Sequence, residues 1–361
     1  MHESSSRQLS RLGWATVILL PVMAGCGGAT AGAPASTSVT ASSPGGGSGG
    51  ASGSGGGGSS GSGGGGSSVP GTATVLFEQP LLNGITGNFS APIATHRAPP
   101  KGVFTMVLWQ ADRFQANGVP VPTGWDAGSQ TGFTPTDATS AQLGFRNQSG
   151  SSTAQMQDGA VGAYLNSQDL PLSTADQKMM ITPQFIFSAG KQPVPFASAQ
   201  SLLSGSLDAQ VPMAVGSDTY VTADLLFEDV ATGVRISYGV EIFHNGGNHG
   251  VVGTGYDAPS NTYMLNSPLG VDQRYVTLTS GSASWSSKTW TGLRHFAWSI
   301  SQAQFASGLK DLTTRFPAKV TSIDPSQYVL AEIHLNAELH TRGQVAELGW
   351  SMQGMKVWTT P

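Results

Sequence analysis

The chain of 361 residues has little charge and almost no cysteine. Only 11% of its residues are charged, against about a quarter in ordinary soluble domains. That shortage excludes a coiled coil, which needs dense Glu, Lys and Arg. Its 17 basic and 21 acidic residues leave a net charge of −4. Without a basic footprint, nucleic acid is not an expected partner. The single cysteine, Cys26, excludes a disulfide framework and any cysteine-based zinc cluster. A nucleotide-binding glycine motif is absent too: the glycines from Gly247 to Gly255 lack the strand–turn–helix context such a motif requires.

What the chain does hold divides by region. Arg7 and Arg11 precede an apolar run of about ten residues, Trp14 to Met23, the layout of a secretory leader. The run is too short to remain as a spanning helix. It ends in Met23-Ala24-Gly25-Cys26, which resembles the bacterial lipobox. That resemblance implies that residues 1–26 are a lipoprotein signal with its lipobox, in which Cys26 is lipidated and becomes the mature N-terminus. Gly27 and Gly28 follow, with no aspartate, which implies the outer membrane of the cell envelope. Residues 27–70 contain no Asp, Glu, Lys or Arg, and hold eighteen of the 49 glycines. Such a segment cannot bury enough apolar surface to offset its ordering entropy. It reads as a flexible tether with a root-mean-square span of roughly 35–40 Å. The lipid is then the only membrane contact.

Residues 71–361 are enough for one full core, and no second linker interrupts them. Val221, Ala223, Leu225 and Phe227 alternate with Tyr220, Thr222, Asp224, Leu226 and Glu228. Val234, Ile236, Tyr238, Val240 and Ile242 alternate with Arg235, Ser237, Gly239, Glu241 and Phe243. Period-two segments bounded by turn residues predict half-buried antiparallel strands. The Asp229–Gly233 segment predicts the hairpin loop joining these two. From Tyr328 a longer strand is predicted, with Val329, Ala331, Ile333, Leu335, Ala337 and Leu339 inward. Ser301 and Gln304 have capping-box spacing. Phe305, Leu309, Leu312 and Phe316 then mark one helix, ended by Pro317. The expected fold is all-β, a two-sheet sandwich or jelly roll with one helix in the C-terminal half. Residues 130–200 give only one predicted strand, 181–187.

Carboxylates on strand faces are the chemical lead. Glu241, Glu338, Asp224 and Glu228 all fall on the polar parity of their strands. On an outer face they are ordinary solvated groups. In a cleft, two of them would supply a nucleophile and a general acid/base for glycoside hydrolysis. Desolvation would then hold one protonated.

The same segments resemble the family 12 glycoside hydrolases, β-jelly-roll endoglucanases of the concanavalin-like fold. The resemblance runs through Tyr220–Phe227 with Glu241-Ile242-Phe243 and its Gly/Asn loop. It continues through Phe296-Ala297-Trp298-Ser299 into the helix, and through Ile323–Val329 into the strand bearing Glu338. It implies Glu241 as nucleophile, Glu338 as acid/base and Asp224 as support for the nucleophile. Glu347 is a rival for the acid/base role. The implied substrate is a β-linked glucan-type polysaccharide, cut internally with retention, by a monomer that needs no cofactor. Trp109, Trp125, His244 and Glu228 are the expected substrate contacts.

No metal site is expected. His244 and His249 frame a loop, and His334 and His340 lie six residues apart, about 20 Å along a strand, too far to share one ion. A non-catalytic glycan-binding or structural sandwich is the other reading of the same pattern. It keeps the groove without the paired carboxylates.

Overall fold

The computed structural model describes residues 72–79, 93–95, 101, 104–109, 134–137, 142–146, 153–157, 160–169, 178–246, 252–258 and 260–361. The expected leader with Cys26, the expected 27–70 tether, Trp125 and His249 lie outside them. Among the described residues seventeen strands occur, in order: β1 (Thr74–Glu78), β2 (Ile93–Thr95), β3 (Phe104–Trp109), β4 (Thr134–Asp137), β5 (Gln142–Arg146), β6 (Thr153–Gln157), β7 (Ala160–Asn166), β8 (Lys178–Ile186), β9 (Leu202–Val215), β10 (Thr219–Asp229), β11 (Arg235–His244), β12 (Gly253–Asp257), β13 (Thr262–Pro268), β14 (Thr277–Leu278), β15 (Trp290–Ser301), β16 (Tyr328–His340) and β17 (Glu347–Thr360). One α-helix among the described residues, α1 (Gln302–Arg315), separates β15 from β16.

The strands form two sheets, as the alternation predicts. One runs β14-β15-β9-β17-β7-β6-β5-β4, with β1 also paired to β17. The other runs β12-β13-β11-β10-β16-β8-β3-β2. Their apolar faces share one core. Leu207, Trp298, Trp350 and Val357 from the first sheet join Val221, Leu225, Val240 and Leu335 from the second. Gly205 is what lets Trp298 lie flat in that core, since a Cβ there would stand 2.4 Å from the ring.

The helix starts where the capping pattern places it. Ser301 accepts from the Gln304 amide, and the Gln304 side chain accepts from the Ser301 amide. Phe305, Leu309 and Leu312 are fully buried. The Phe305 ring stacks on Phe196 at 4.8 Å and meets Phe227 at 4.5 Å. The helix thereby closes one end of the core and helps hold β10 in place.

Among the register shifts of the described strands, β-bulges on β11 and β16 change which residues face the core. On β11, Val221 pairs with Phe243 but Thr222 pairs with Glu241, so Ile242 is an extra residue. Phe243, predicted to face outward, therefore turns into the core and packs against Trp290. On β16, Leu226 pairs with Glu332 but Phe227 pairs with Leu330, so Ala331 is extra. This corrects the inward set before Ile333: Tyr328 and Leu330 join the core, while Val329 and Ala331 do not. The hairpin after β10 is as predicted. Asp229 caps it through Ala231 and Thr232, and Gly233 takes φ +70°.

Candidate active site

The polar face of the second sheet carries a cleft that crosses it from β12 to β8. Tyr220, Asp224, Glu338, His334 and Asn336 are among its lining residues. It has a cavity volume of about 160 Å³. The strand parity explains the lining: every residue named lies opposite the core-facing set on its own strand. Glu241 belongs to the same face, opposite Thr222, and is 2% exposed. Glu338 is also 2% exposed, opposite Tyr220. The two glutamates thus stand on β11 and β16, the strands on either side of β10.

The bulge at Ile242 builds the network around them. In a regular strand, residues 241 and 244 would face opposite ways. The extra residue brings His244 onto the polar face opposite Tyr220. There its Nδ1 lies 3.2 Å from Glu241 Oε2, and its Nε2 lies 3.0 Å from Asp218 Oδ1. Arg342 donates to the other Asp218 oxygen, with Nη2 at 2.6 Å. Glu338 has its own histidine: His340 Nε2 is 3.1 Å from Oε1. The Tyr220 hydroxyl donates to Glu338 Oε2. The Tyr220 ring lies between the two imidazoles, 5.4 Å from His244 and 5.9 Å from His340. Asn245 pins the chain after β11, accepting from the Thr219 amide at 2.7 Å and donating to the Gly216 carbonyl at 3.1 Å.

The electrostatics follow from this arrangement. Burial acts to lower the His244 pKa, but its bonds to Asp218 and Glu241 outweigh that and raise it to about 9. His244 is accordingly an imidazolium at neutral pH. Burial acts to raise Asp218, but His244 and Arg342 hold it well below the usual carboxylate range. Asp224 is pushed up to about 7, first by burial and further by the charge of Glu338, against the Thr222 hydroxyl bond. His334 is lowered to about 4, by burial and then by Arg235.

The structure gathers some of the expected residues and separates others. Glu241, Glu338 and His244 share one end of the polar face. His244 differs from its expected role, because both ring nitrogens already face carboxylates. Asp224 stands opposite Gly239 and His334, two residue pairs beyond Glu241 on the same face. Its titratable neighbours are Glu338 and the neutral His334 rather than Glu241. Glu228 stands opposite Arg235, six residues along β10 from Thr222. That is about 20 Å from the level of Glu241, too far for a shared contact. Glu347 lies on β17 in the other sheet, where Tyr164 donates to it at 2.7 Å. It does not share a face with Glu241. Trp109 pairs in register with Met180, a cleft residue.

Gly239 makes the room for Asp224. A Cβ at this position would lie 2.5 Å from Asn266 Oδ1 and 2.9 Å from Asp224 Oδ1. Gly239→Ala is expected to cost about 1–3 kcal/mol by overpacking and to displace Asp224. Chemical denaturation, with a pH titration of the remaining transition, checks it; an unchanged midpoint would contradict the close fit.

No protein-family model matches the chain, and no curated protein matches its sequence. Solved structures are similar at low level, three of them as follows. The xyloglucanase domain of a type three effector from Sinorhizobium fredii, in complex with cellobiose, is 12% identical with TM-score 0.27. It covers 63% of this chain and 93% of that one. A family 12 xyloglucanase from Bacillus licheniformis is 10% identical over 62% of this chain and 97% of its own, with TM-score 0.31. A family 11 xylanase from Neocallimastix patriciarum is 7% identical over 61% and 91%, with TM-score 0.28. The two-sheet architecture rests on the strand pairing of the chain itself.

Proposed function

We propose that the domain is a retaining glycoside hydrolase that cuts within β-linked glucan chains. The observation that carries this reading is the pair of buried glutamates flanking β10 on the cleft face. Glu241 attacks the anomeric carbon as Glu338 protonates the leaving glycosidic oxygen, giving a glycosyl-enzyme. Glu338 then takes a proton from water, which attacks the same carbon and releases Glu241. The imidazolium of His244 orients the Glu241 carboxylate toward the cleft. Tyr220 and His340 hold Glu338 in one orientation.

Reducing-end release from barley β-glucan, xyloglucan and mannan tests the reading. Activity on at least one is expected. Binding to such a glycan without any release would instead favour the non-catalytic sandwich, which the close engagement of both glutamates by histidines also fits.

In the same reading the domain works from the outer membrane, held by a lipid on Cys26 and by the 27–70 tether. Cys26→Ser is expected to move most of the protein from the membrane pellet to the soluble fraction while leaving specific activity unchanged. Retention of the variant in the pellet would contradict the anchor.

A further inference from the structure

His334 is the group in the cleft that the proposed chemistry leaves unused. It stands on β16 opposite Asp224 on one side and Gln184 on the other. Its side chain is 13% exposed and lines the cleft. Neither ring nitrogen has a hydrogen-bond partner. The nearest acidic oxygen, Asp224 Oδ2, is 3.8 Å away, beyond hydrogen-bond length. Gln184 beside it is 1% exposed, and neither its amide nitrogen nor its oxygen is paired. Buried polar groups are nearly always satisfied, so adjacent orphans on one face require an explanation.

The chemistry of the gap identifies the missing partner. His334 is neutral at working pH, because burial lowers its pKa to about 4. A neutral imidazole presents one N–H donor and one lone-pair acceptor. Asp224, raised to about 7, presents an acceptor and, when protonated, a donor. A cation or an anion would complement only half of this set. A hydroxyl, which donates and accepts at one atom, complements all of it. His334 lies four residues along β16 from Glu338, roughly 13 Å, and two residues, roughly 7 Å, beyond the level of Glu241, on the side away from Glu338. At that end of the cleft Arg235 is bound to Glu332, so its charge is already balanced.

We propose that His334 and Asp224, with Gln184 alongside, form an outlying subsite that binds a hydroxyl group of a neutral sugar. The proposal rests on the glycan-cleft reading but not on the catalytic roles of the glutamates. It assigns His334 to substrate binding rather than to folding.

Titration calorimetry with cellotetraose and cellobiose, on the full chain and on His334→Leu and His334→Gln, tests it. His334→Leu is expected to bind cellotetraose about tenfold more weakly, about 1.4 kcal/mol, and His334→Gln, which keeps a donor and an acceptor, less so. Cellobiose, too short to fill the cleft, should change less. KM on β-glucan should rise by a similar factor with kcat within twofold. The melting temperature of His334→Leu should not fall, since no hydrogen bond is lost. Unchanged cellotetraose affinity in both folded variants would overturn the subsite while leaving hydrolysis intact. Weakened binding in a protein that never hydrolyses glucan would support the subsite and remove the catalytic reading. A wild-type chain that binds neither sugar would overturn both.

Discussion

Glu241→Gln is expected to abolish glucan hydrolysis, lowering kcat by on the order of 10⁴-fold or more. The substitution is close to isosteric, so the buried site keeps its packing. The amide cannot form the glycosyl-enzyme bond, and the double displacement loses its first step. Gln can still accept a bond from His244 Nδ1 through its oxygen. Folding and oligosaccharide affinity should therefore stay near wild type, and thermal denaturation with calorimetry checks both. Glu338→Gln should be milder, about 10²–10⁴-fold, because it removes proton transfer and not the nucleophile. An active Glu241→Gln enzyme would move the chemistry to another carboxylate.

His244→Leu is expected to have the largest effect on stability. It leaves two carboxylates, one of them 2% exposed, facing an apolar side chain. Removing one partner of a buried ion pair costs about 3–5 kcal/mol. His244→Gln, which keeps a donor, should recover part of this. The rise of the His244 pKa from 6.5 to about 9 corresponds to about 3 kcal/mol of coupling to folding. Because the folded pKa is the higher one, this stability is complete below about pH 6.5 and is lost as the pH climbs through about 9. The gap in unfolding free energy between wild type and His244→Leu should therefore be widest near pH 6 and narrow above pH 9. Asp224 is raised as well, from 3.8 to about 7. Its contribution is present below its ordinary pKa and is lost as the pH rises through about 7. Asp224→Asn should accordingly gain on wild type between about pH 4 and 7. A His244→Leu gap that is constant with pH would show that His244 acts through packing alone.

Much of the fold could be read from patterning. The Phe305, Leu309 and Leu312 stripe and the Ser301–Gln304 box give the helix its position and start, and both are local signals. The alternation of β10 and β11 gives their faces, because one side is buried against the other sheet. Strands β4, β5 and β6 were not legible. Their sequences, such as Thr134-Pro135-Thr136-Asp137, are short and polar and show no period. The bulges were not legible either, since an extra residue changes pairing without changing composition. For this reason simple alternation along β16 places Tyr328 outward although it is fully buried. The His244–Glu241 contact has the same cause, as residues three apart do not share a face on a regular strand. Asp218 and Arg342 had no sequence signal. They reach the site only because β10 begins where β16 turns back, with the His340 amide bonded to the Asp218 carbonyl at 2.9 Å. Glu338 and His340, two apart, did share a face in the pattern, yet only the paired strands show the contact.

In the proposed double displacement Glu241 forms a covalent bond to the sugar during turnover. The most direct measurement is mass spectrometry of the protein after incubation with a 2-deoxy-2-fluoro-cellobiosyl fluoride, which slows breakdown of the glycosyl-enzyme. The expected result is a single added glycosyl mass on the peptide containing Glu241, released when a fresh acceptor sugar is supplied. A label on Glu338 or elsewhere, or no label in an enzyme that still cuts glucan and yields products of inverted anomeric configuration, would contradict it.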